Sequence, residues 1–103
     1  MIRVEYLPAA EEEFLREIEF LEGRSRGLGR RFIGEVHKAE GLIAQFPLSA
    51  PEVAPGIRKY VLRTFQYSLF YSPQPDHVLI LAVAHHKRRP NYWKDRSMSG
   101  ADS

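Results

Sequence analysis

A cluster of histidine, arginine and aromatic residues directly follows the most apolar segment of this sequence. The apolar segment covers residues 78–84 (VLILAVA), and residues 85–93 continue as HHKRRPNYW. Side chains carried at the end of a rigid, buried strand are well placed to bind or transform a ligand. Guanidinium groups bind phosphate through paired hydrogen bonds, imidazole transfers protons near neutral pH, and aromatic rings stack on bases. These residue types together predict a site that handles phosphate.

Further cations near the ends of other predicted strands extend this site. The predicted residues for binding phosphate or a target are Arg58, Lys59, Arg88, Arg89 and Trp93. Tyr92 or Trp93 could stack on a base, and His85 or His86 could transfer a proton. The alternative is that the two aromatic residues cap the core while the arginines are solvated neighbours. Residue chemistry alone leaves both interpretations open.

Other kinds of site have little support in the sequence. The chain has no cysteine, which excludes disulfides and thiolate metal ligands. His85 and His86 are adjacent, and adjacent strand residues point to opposite faces, so we predict no metal site. There is no Gly-x-Ser-x-Gly motif and no glycine-rich phosphate loop, so we predict no cofactor. Gly27-Leu28-Gly29 is better explained as the start of a helix.

Charge is distributed unevenly along the 103 residues, whose net charge is +2. Residues 1–50 contain 7 Lys/Arg and 9 Asp/Glu, whereas residues 57–96 contain 8 Lys/Arg and 2 Asp. The basic C-terminal part favours an anionic or acidic partner, although solvated strand ends would give the same pattern. No segment approaches the roughly 20 apolar residues of a membrane span. We therefore expect a soluble, cytoplasmic protein.

The spacing of apolar residues predicts the elements that position this site. Residues 2–6 alternate between apolar and polar, as in a half-buried strand. Apolar residues at helical spacing over residues 10–21 and 28–46 predict two amphipathic helices. The break at residues 23–27 predicts that these helices form an antiparallel hairpin. Three prolines in residues 47–55 then predict a loop that is neither helix nor central strand.

The remainder of the chain predicts three strands, at residues 57–62, 66–71 and 78–84. The last of these is apolar on both faces, which predicts a central and covered position. The order β-α-α-β-β-β predicts a single α+β domain over residues 1–96, with an antiparallel sheet and a helical hairpin packed on one face. Residues 97–103 are small and polar, and we expect them to form a disordered tail.

This order of elements resembles the RelE/ParE superfamily of toxins from bacterial type II toxin–antitoxin systems. The resemblance covers residues 2–96 and rests on IRKY after the proline-rich loop, on the aromatic hairpin strand and on the final strand running into HHKRRPNYW. A final strand that ends in histidine, basic residues, proline and an aromatic residue resembles the ParE, or plasmid-stabilisation, branch in particular. The resemblance implies a growth-inhibiting toxin that a cognate antitoxin neutralises.

The antitoxin implied by this resemblance wraps its C-terminal segment around the toxin. We expect it to occupy the groove between the helices and the sheet, with Phe14, Ile18, Phe32 and Val36 as the antitoxin-binding residues. Such segments are often acidic and fold on binding, which agrees with the basic C-terminal part of this chain. An apolar groove of this kind also predicts that the free chain self-associates.

The superfamily divides in activity, and the resemblance implies three hypotheses. ParE-like members act on DNA gyrase and block replication, and we favour this hypothesis. RelE-like members are metal-independent endonucleases that cut messenger RNA on the ribosome, and here Arg63, His85, Arg88 and Tyr92 would surround the scissile phosphate. RelE-like members carry an arginine in the middle hairpin strand, where this chain has Ser68, which argues against RNA cleavage. The third hypothesis is an inactive toxin fold that retains antitoxin binding.

Overall fold

The chain forms a five-stranded sheet with two helices on one face, and the computed structural model describes residues 2–96. The elements in chain order are β1 (Arg3–Tyr6), α1 (Pro8–Arg24), α2 (Leu28–Gln45), β2 (Glu52–Ala54), β3 (Ile57–Val61), β4 (Tyr67–Pro73), β5 (His77–His85) and a short 3-10 helix (Lys94–Arg96). The predicted α+β class is confirmed. The predicted tail, residues 97–103, lies outside the described residues. Neither of the two long helices in residues 2–96 is apolar enough to cross a membrane.

The sheet has the strand order β1-β5-β4-β3-β2, and it differs from the prediction in two details. It is mixed rather than wholly antiparallel, because β1 pairs with β5 in the parallel direction. Each strand from β2 to β5 is antiparallel to the next strand in the chain. The last strand, β5, lies beside β1 and runs in the same direction as β1. The proline-rich loop also contains β2, a three-residue edge strand. Prolines are tolerated next to an edge strand because its outer side pairs with nothing. As predicted, β5 is internal and largely buried.

The helical hairpin packs closely at its turn because of two glycines. Gly27 has a φ of 87°, a left-handed conformation that glycine adopts at little cost. A Cβ placed on Gly29 would lie 2.9 Å from the backbone oxygen of Ile18, so the absent side chain permits the approach of α2 to α1. The Glu22 carboxylate accepts hydrogen bonds from both glycine N–H groups at 2.9 Å. It thereby satisfies donors that the start of α2 would otherwise leave free.

The sheet separates two groups of buried side chains. On the helix side, the apolar stripe of α2 packs against alternate residues of β4 and β5: Phe32, Val36, Ala39, Ile43, Tyr67, Leu69, Tyr71, Val78, Ile80 and Val83. Burying each large apolar side chain contributes about 1.5–3 kcal/mol. The opposite face, called the outer face below, buries a smaller group that contains Phe70, Leu81 and Trp93. In the part of the chain that the structure describes, Trp93 rather than a long helix covers this second core.

A β-bulge in β5 changes which residues face each side. Tyr71 pairs with Ile80 and Phe70 pairs with Ala82, so Leu81 is an extra residue on β5. The β1 side of β5 is also unpaired beyond this point, because the paired register of β1 ends at Tyr6 opposite Ile80. The backbone groups of β5 after residue 80 therefore need other partners on that edge.

Candidate functional site

Most of the cluster identified in the sequence lies beyond β5, in residues 86–96, which we call the C-terminal arm; the arm is irregular up to the short 3-10 helix at its end. The arm leaves the end of β5 and crosses the outer face of the sheet. It turns through Asn91, whose φ of 63° is a left-handed conformation that asparagine tolerates. The ring of Trp93 then stacks on Phe70 with centroids 4.7 Å apart and planes inclined by 29°. The arm is thus a packed part of the fold.

A cavity of about 280 Å³ lies between the arm and the outer face. The sheet contributes a lysine, a serine and an aromatic ring to its wall, and the arm contributes most of the rest: Val53, Lys59, Ser68, Phe70, Ala84, His85, His86, Arg88, Arg89, Pro90, Asn91, Tyr92 and Trp93. Ser68 Oγ lies 2.9 Å from His86 Nε2. The cavity combines an apolar floor with imidazole and ammonium groups, so it suits a small anionic or amphipathic group.

A buried carboxylate, Glu13 of α1, lies where the arm meets the open edge of β5. Its Oε1 accepts the backbone N–H of Val83 at 3.0 Å, and its Oε2 accepts the hydroxyl of Tyr92 at 2.8 Å. Arg96 Nη2 lies 2.8 Å from the same Oε2, and Arg88 Nη1 lies at 3.7 Å. Glu13 is only 3% exposed, so these donors replace the water that a carboxylate needs.

This arrangement fixes the chemical state of Tyr92. Burial raises the pKa of its hydroxyl far above the usual value, and the hydrogen bond donated to Glu13 raises the pKa further. The guanidinium of Arg88 lies 3.9 Å above the Tyr92 ring, and that of Arg96 lies at 4.9 Å. Tyr92 is therefore a neutral donor with two cations close to its ring, and its hydroxyl is already engaged.

Of the four residues predicted for RNA cleavage, His85, Arg88 and Tyr92 line the cavity, and Arg63 does not. Arg88 and Tyr92 are in contact, but both are engaged with Glu13. The His85 ring packs edge-on against Tyr67 of the helix-side core, with centroids 5.0 Å apart. Arg63 is exposed in the turn after β3, where its backbone N–H donates to Glu35 at 2.6 Å. The imidazole on the outer face is that of His86.

Four of the five residues predicted to bind phosphate or a target, namely Lys59, Arg88, Arg89 and Trp93, line the cavity, and Arg58 does not. Arg58 donates to the backbone oxygens of Leu48 and Ala50, at 3.0 and 2.6 Å, and so anchors the loop after α2. Trp93 is 2% exposed, so its ring offers little surface to a base in this conformation, and its role in binding a target stays a prediction. Its ring already stacks on Phe70, as in the capping alternative.

The predicted antitoxin-binding residues belong to the core. Phe32 and Val36 are 0% exposed, and Phe14 and Ile18 are partly buried against the same cluster. The amphipathic pattern identified the buried stripe correctly, and Phe32 and Val36 have no exposed surface to offer a partner in this conformation. Antitoxin binding by the partly buried Phe14 and Ile18 stays a prediction. The large apolar side chains that are exposed lie elsewhere: Leu15, Phe20, Leu42, Phe46, Leu48, Val53 and Val61.

Sequence analysis did not single out Glu13. The three glutamates at residues 11–13 all suit the favourable charge at the start of a helix, so charge alone does not distinguish them. Glu13 differs from its neighbours because it lies three residues after Ala10 and beside Phe14, on the edge of the apolar stripe. A charged residue at such a position needs a buried partner, which was the available signal.

Comparisons with known proteins agree with this fold. A family model described as "ParE toxin of type II toxin-antitoxin system, parDE" matches residues 4–90. A solved structure described as the chromosomal ParDE TA system from P. aeruginosa matches with a TM-score of 0.69 and 13% identity, over 82% of this chain and 96% of that chain. At that identity the likeness shows the fold alone. No curated protein sequence gives a match. The match over residues 4–90 confirms the resemblance: the chain belongs to the ParE family of toxins of type II toxin–antitoxin systems.

Proposed function

We propose that this toxin acts by binding DNA gyrase rather than by cleaving RNA, and that a cognate antitoxin neutralises it. The observation that carries the proposal is the engagement of Arg88 and Tyr92 with the buried Glu13 carboxylate. These two residues are among the four that the RelE-like hypothesis places around the scissile phosphate. A protein–protein inhibitor has no such requirement, because it needs only a stable surface.

General acid–base chemistry requires a group that gains and loses a proton near neutral pH. The pKa of Tyr92 is raised far above that range by burial and by its hydrogen bond to Glu13. Arg88 lies against Glu13 and the Tyr92 ring, so part of its charge is already compensated. Ser68 is the second residue of β4 and stands where the RelE-like resemblance implies an arginine, so this position provides no cation to stabilise charge on a phosphorane. Each of these facts argues against cleavage of RNA.

The proposed antitoxin contact uses the exposed apolar side chains rather than the buried stripe. Phe20 of α1 and Phe46 after α2 are each more than half exposed, at 52% and 53%. Large exposed apolar side chains of this kind often mark a protein interface. The basic C-terminal part would attract an acidic antitoxin segment at longer range.

The deciding experiment measures messenger RNA integrity and gyrase activity with the same preparation. We expect growth arrest with intact messages after induction, and inhibition of supercoiling when the purified chain is added to purified gyrase. Codon-phased cuts that disappear with Arg88→Ala or Tyr92→Phe would instead make the chain a ribosome-dependent endonuclease and overturn the proposal. Absence of both arrest and gyrase inhibition would leave an inactive toxin fold, with antitoxin capture as its remaining activity.

A further inference from the structure

The C-terminal arm is attached to the rest of the chain at the unpaired edge of β5. Within residues 2–96 no strand pairs with this edge past Ile80, and two side chains take the place of one. Glu13 accepts the N–H of Val83 at 3.0 Å, and Arg96 Nη1 donates to the backbone oxygen of Leu81 at 3.3 Å. One of these side chains comes from α1 and the other comes from the arm. The exposed edge is thereby closed by a contact between a helix and the arm.

The same Glu13 carboxylate gathers the arm's own polar side chains. Its Oε2 lies 2.8 Å from Tyr92 Oη and from Arg96 Nη2, and 3.7 Å from Arg88 Nη1. Hydrogen bonds between ionised groups are stronger and shorter than those between neutral groups. A single buried acceptor therefore connects α1, β5 and three residues of the arm.

The cavity depends on the arm being in this position. One wall consists of sheet residues such as Lys59, Ser68 and Phe70, and the opposite wall consists of arm residues. If the arm leaves the sheet, the cavity loses that wall, and Trp93 no longer covers Phe70. Whatever occupies the cavity therefore requires the arm to be docked.

We propose that Glu13 is the positioning residue that docks the C-terminal arm and so forms the outer-face cavity. Glu13 lies outside the group of residues that face the cavity, and it acts through Tyr92, Arg88 and Arg96. The inference goes beyond the gyrase proposal and does not depend on it. Through Glu13, α1 of the helical hairpin holds the arm that forms one wall of the cavity.

The chain contains a single tryptophan, Trp93, and it lies on the arm, so its fluorescence reports docking separately from helix content. We compare Glu13→Gln with Glu12→Gln, which removes the same charge from the adjacent, exposed position of α1. In Glu13→Gln we expect a red-shifted Trp93 emission and greater acrylamide quenching, with the far-ultraviolet circular dichroism retained. Tryptic cleavage after Lys87 and Arg88 should accelerate about tenfold, because cleavage follows the population of the open arm.

Two results would overturn the inference. The first is a Glu13→Gln variant whose emission, quenching and cleavage equal those of Glu12→Gln. If Glu13→Gln loses its helix signal altogether, the double variant Tyr92→Phe/Arg96→Gln decides, because it removes two donors from the arm and leaves α1 unchanged. A red shift in that folded double variant supports the inference. An unshifted emission there is the second refuting result.

Discussion

The contact between the two helices at Gly29 predicts that Gly29→Ala destabilises the chain, whereas helix propensity alone would predict that it stabilises the chain. In a helix interior, alanine is more favourable than glycine by about 0.5–1 kcal/mol, so Gly→Ala in a helix usually stabilises a protein. Gly29 lies in the first turn of α2, but a Cβ there would lie 2.9 Å from the backbone oxygen of Ile18 and 3.1 Å from a Glu22 side-chain oxygen. A backbone atom cannot rotate away, so the helices must separate.

The expected net effect of Gly29→Ala is a loss of about 1–2 kcal/mol in the free energy of unfolding. Overpacking of a tight contact costs about 1–3 kcal/mol, and the gain in helix propensity offsets part of it. Gly34 provides the matched control, since it lies in the same helix and a Cβ there would meet nothing within 4 Å. Gly34→Ala should therefore stabilise the chain by about 0.5–1 kcal/mol.

Thermal and urea unfolding of the two variants measure this difference. For a domain of this size, 1 kcal/mol corresponds to a change of about 4–8 °C in Tm. Gly29→Ala should melt below the wild type, and Gly34→Ala should melt above it. If Gly29→Ala is as stable as Gly34→Ala, the helices do not approach as closely as described and the reasoning fails.

Two further predictions concern the surface and the pH dependence of stability. Phe46→Ser should reduce self-association of the free chain in sedimentation experiments and change the unfolding free energy by less than about 0.5 kcal/mol. Phe32→Ala, at a buried position, should instead lower the unfolding free energy by about 3–5 kcal/mol. Unchanged association in Phe46→Ser would exclude this side chain from the interface. Hydrogen bonds from the N–H groups of Gly27 and Gly29 lower the pKa of Glu22. Ionised Glu22 therefore stabilises the folded chain above the ordinary carboxyl pKa, and this stabilisation is lost as the pH falls through the lowered pKa. The stability difference between the wild type and Glu22→Gln should shrink on acidification, and a constant difference would contradict this account.

Periodic features of the sequence predicted most of the fold. The helical stripe from Leu28 to Ile43 and the apolar run in β5 gave the correct elements, because burial on one or both faces determines residue type directly. The direction of β1 could not be obtained in this way, since alternation is the same in parallel and antiparallel strands. The edge strand β2 was missed because three residues flanked by prolines carry almost no pattern.

The candidate site was predicted less well, for a physical reason. Residue chemistry identified the arm, but a cation or an aromatic ring has the same type whether it faces a ligand or packs inside the protein. Trp93 and Arg58 both proved to have structural partners, a stacked ring in one case and backbone oxygens in the other. Glu13 lies more than 70 residues before the arm, and contacts over that separation are set by tertiary packing rather than by local pattern.

The extra residue at Leu81 has a consequence for comparing this toxin with its relatives. Strict alternation from Ile80 would place His86 on the helix side and His85 on the outer face. The additional residue exchanges them, so that His86 meets Ser68 and His85 meets Tyr67. An alignment with a relative that has a regular strand here needs a gap at this position. Without the gap, each histidine would be equated with a residue that faces the opposite side of the sheet.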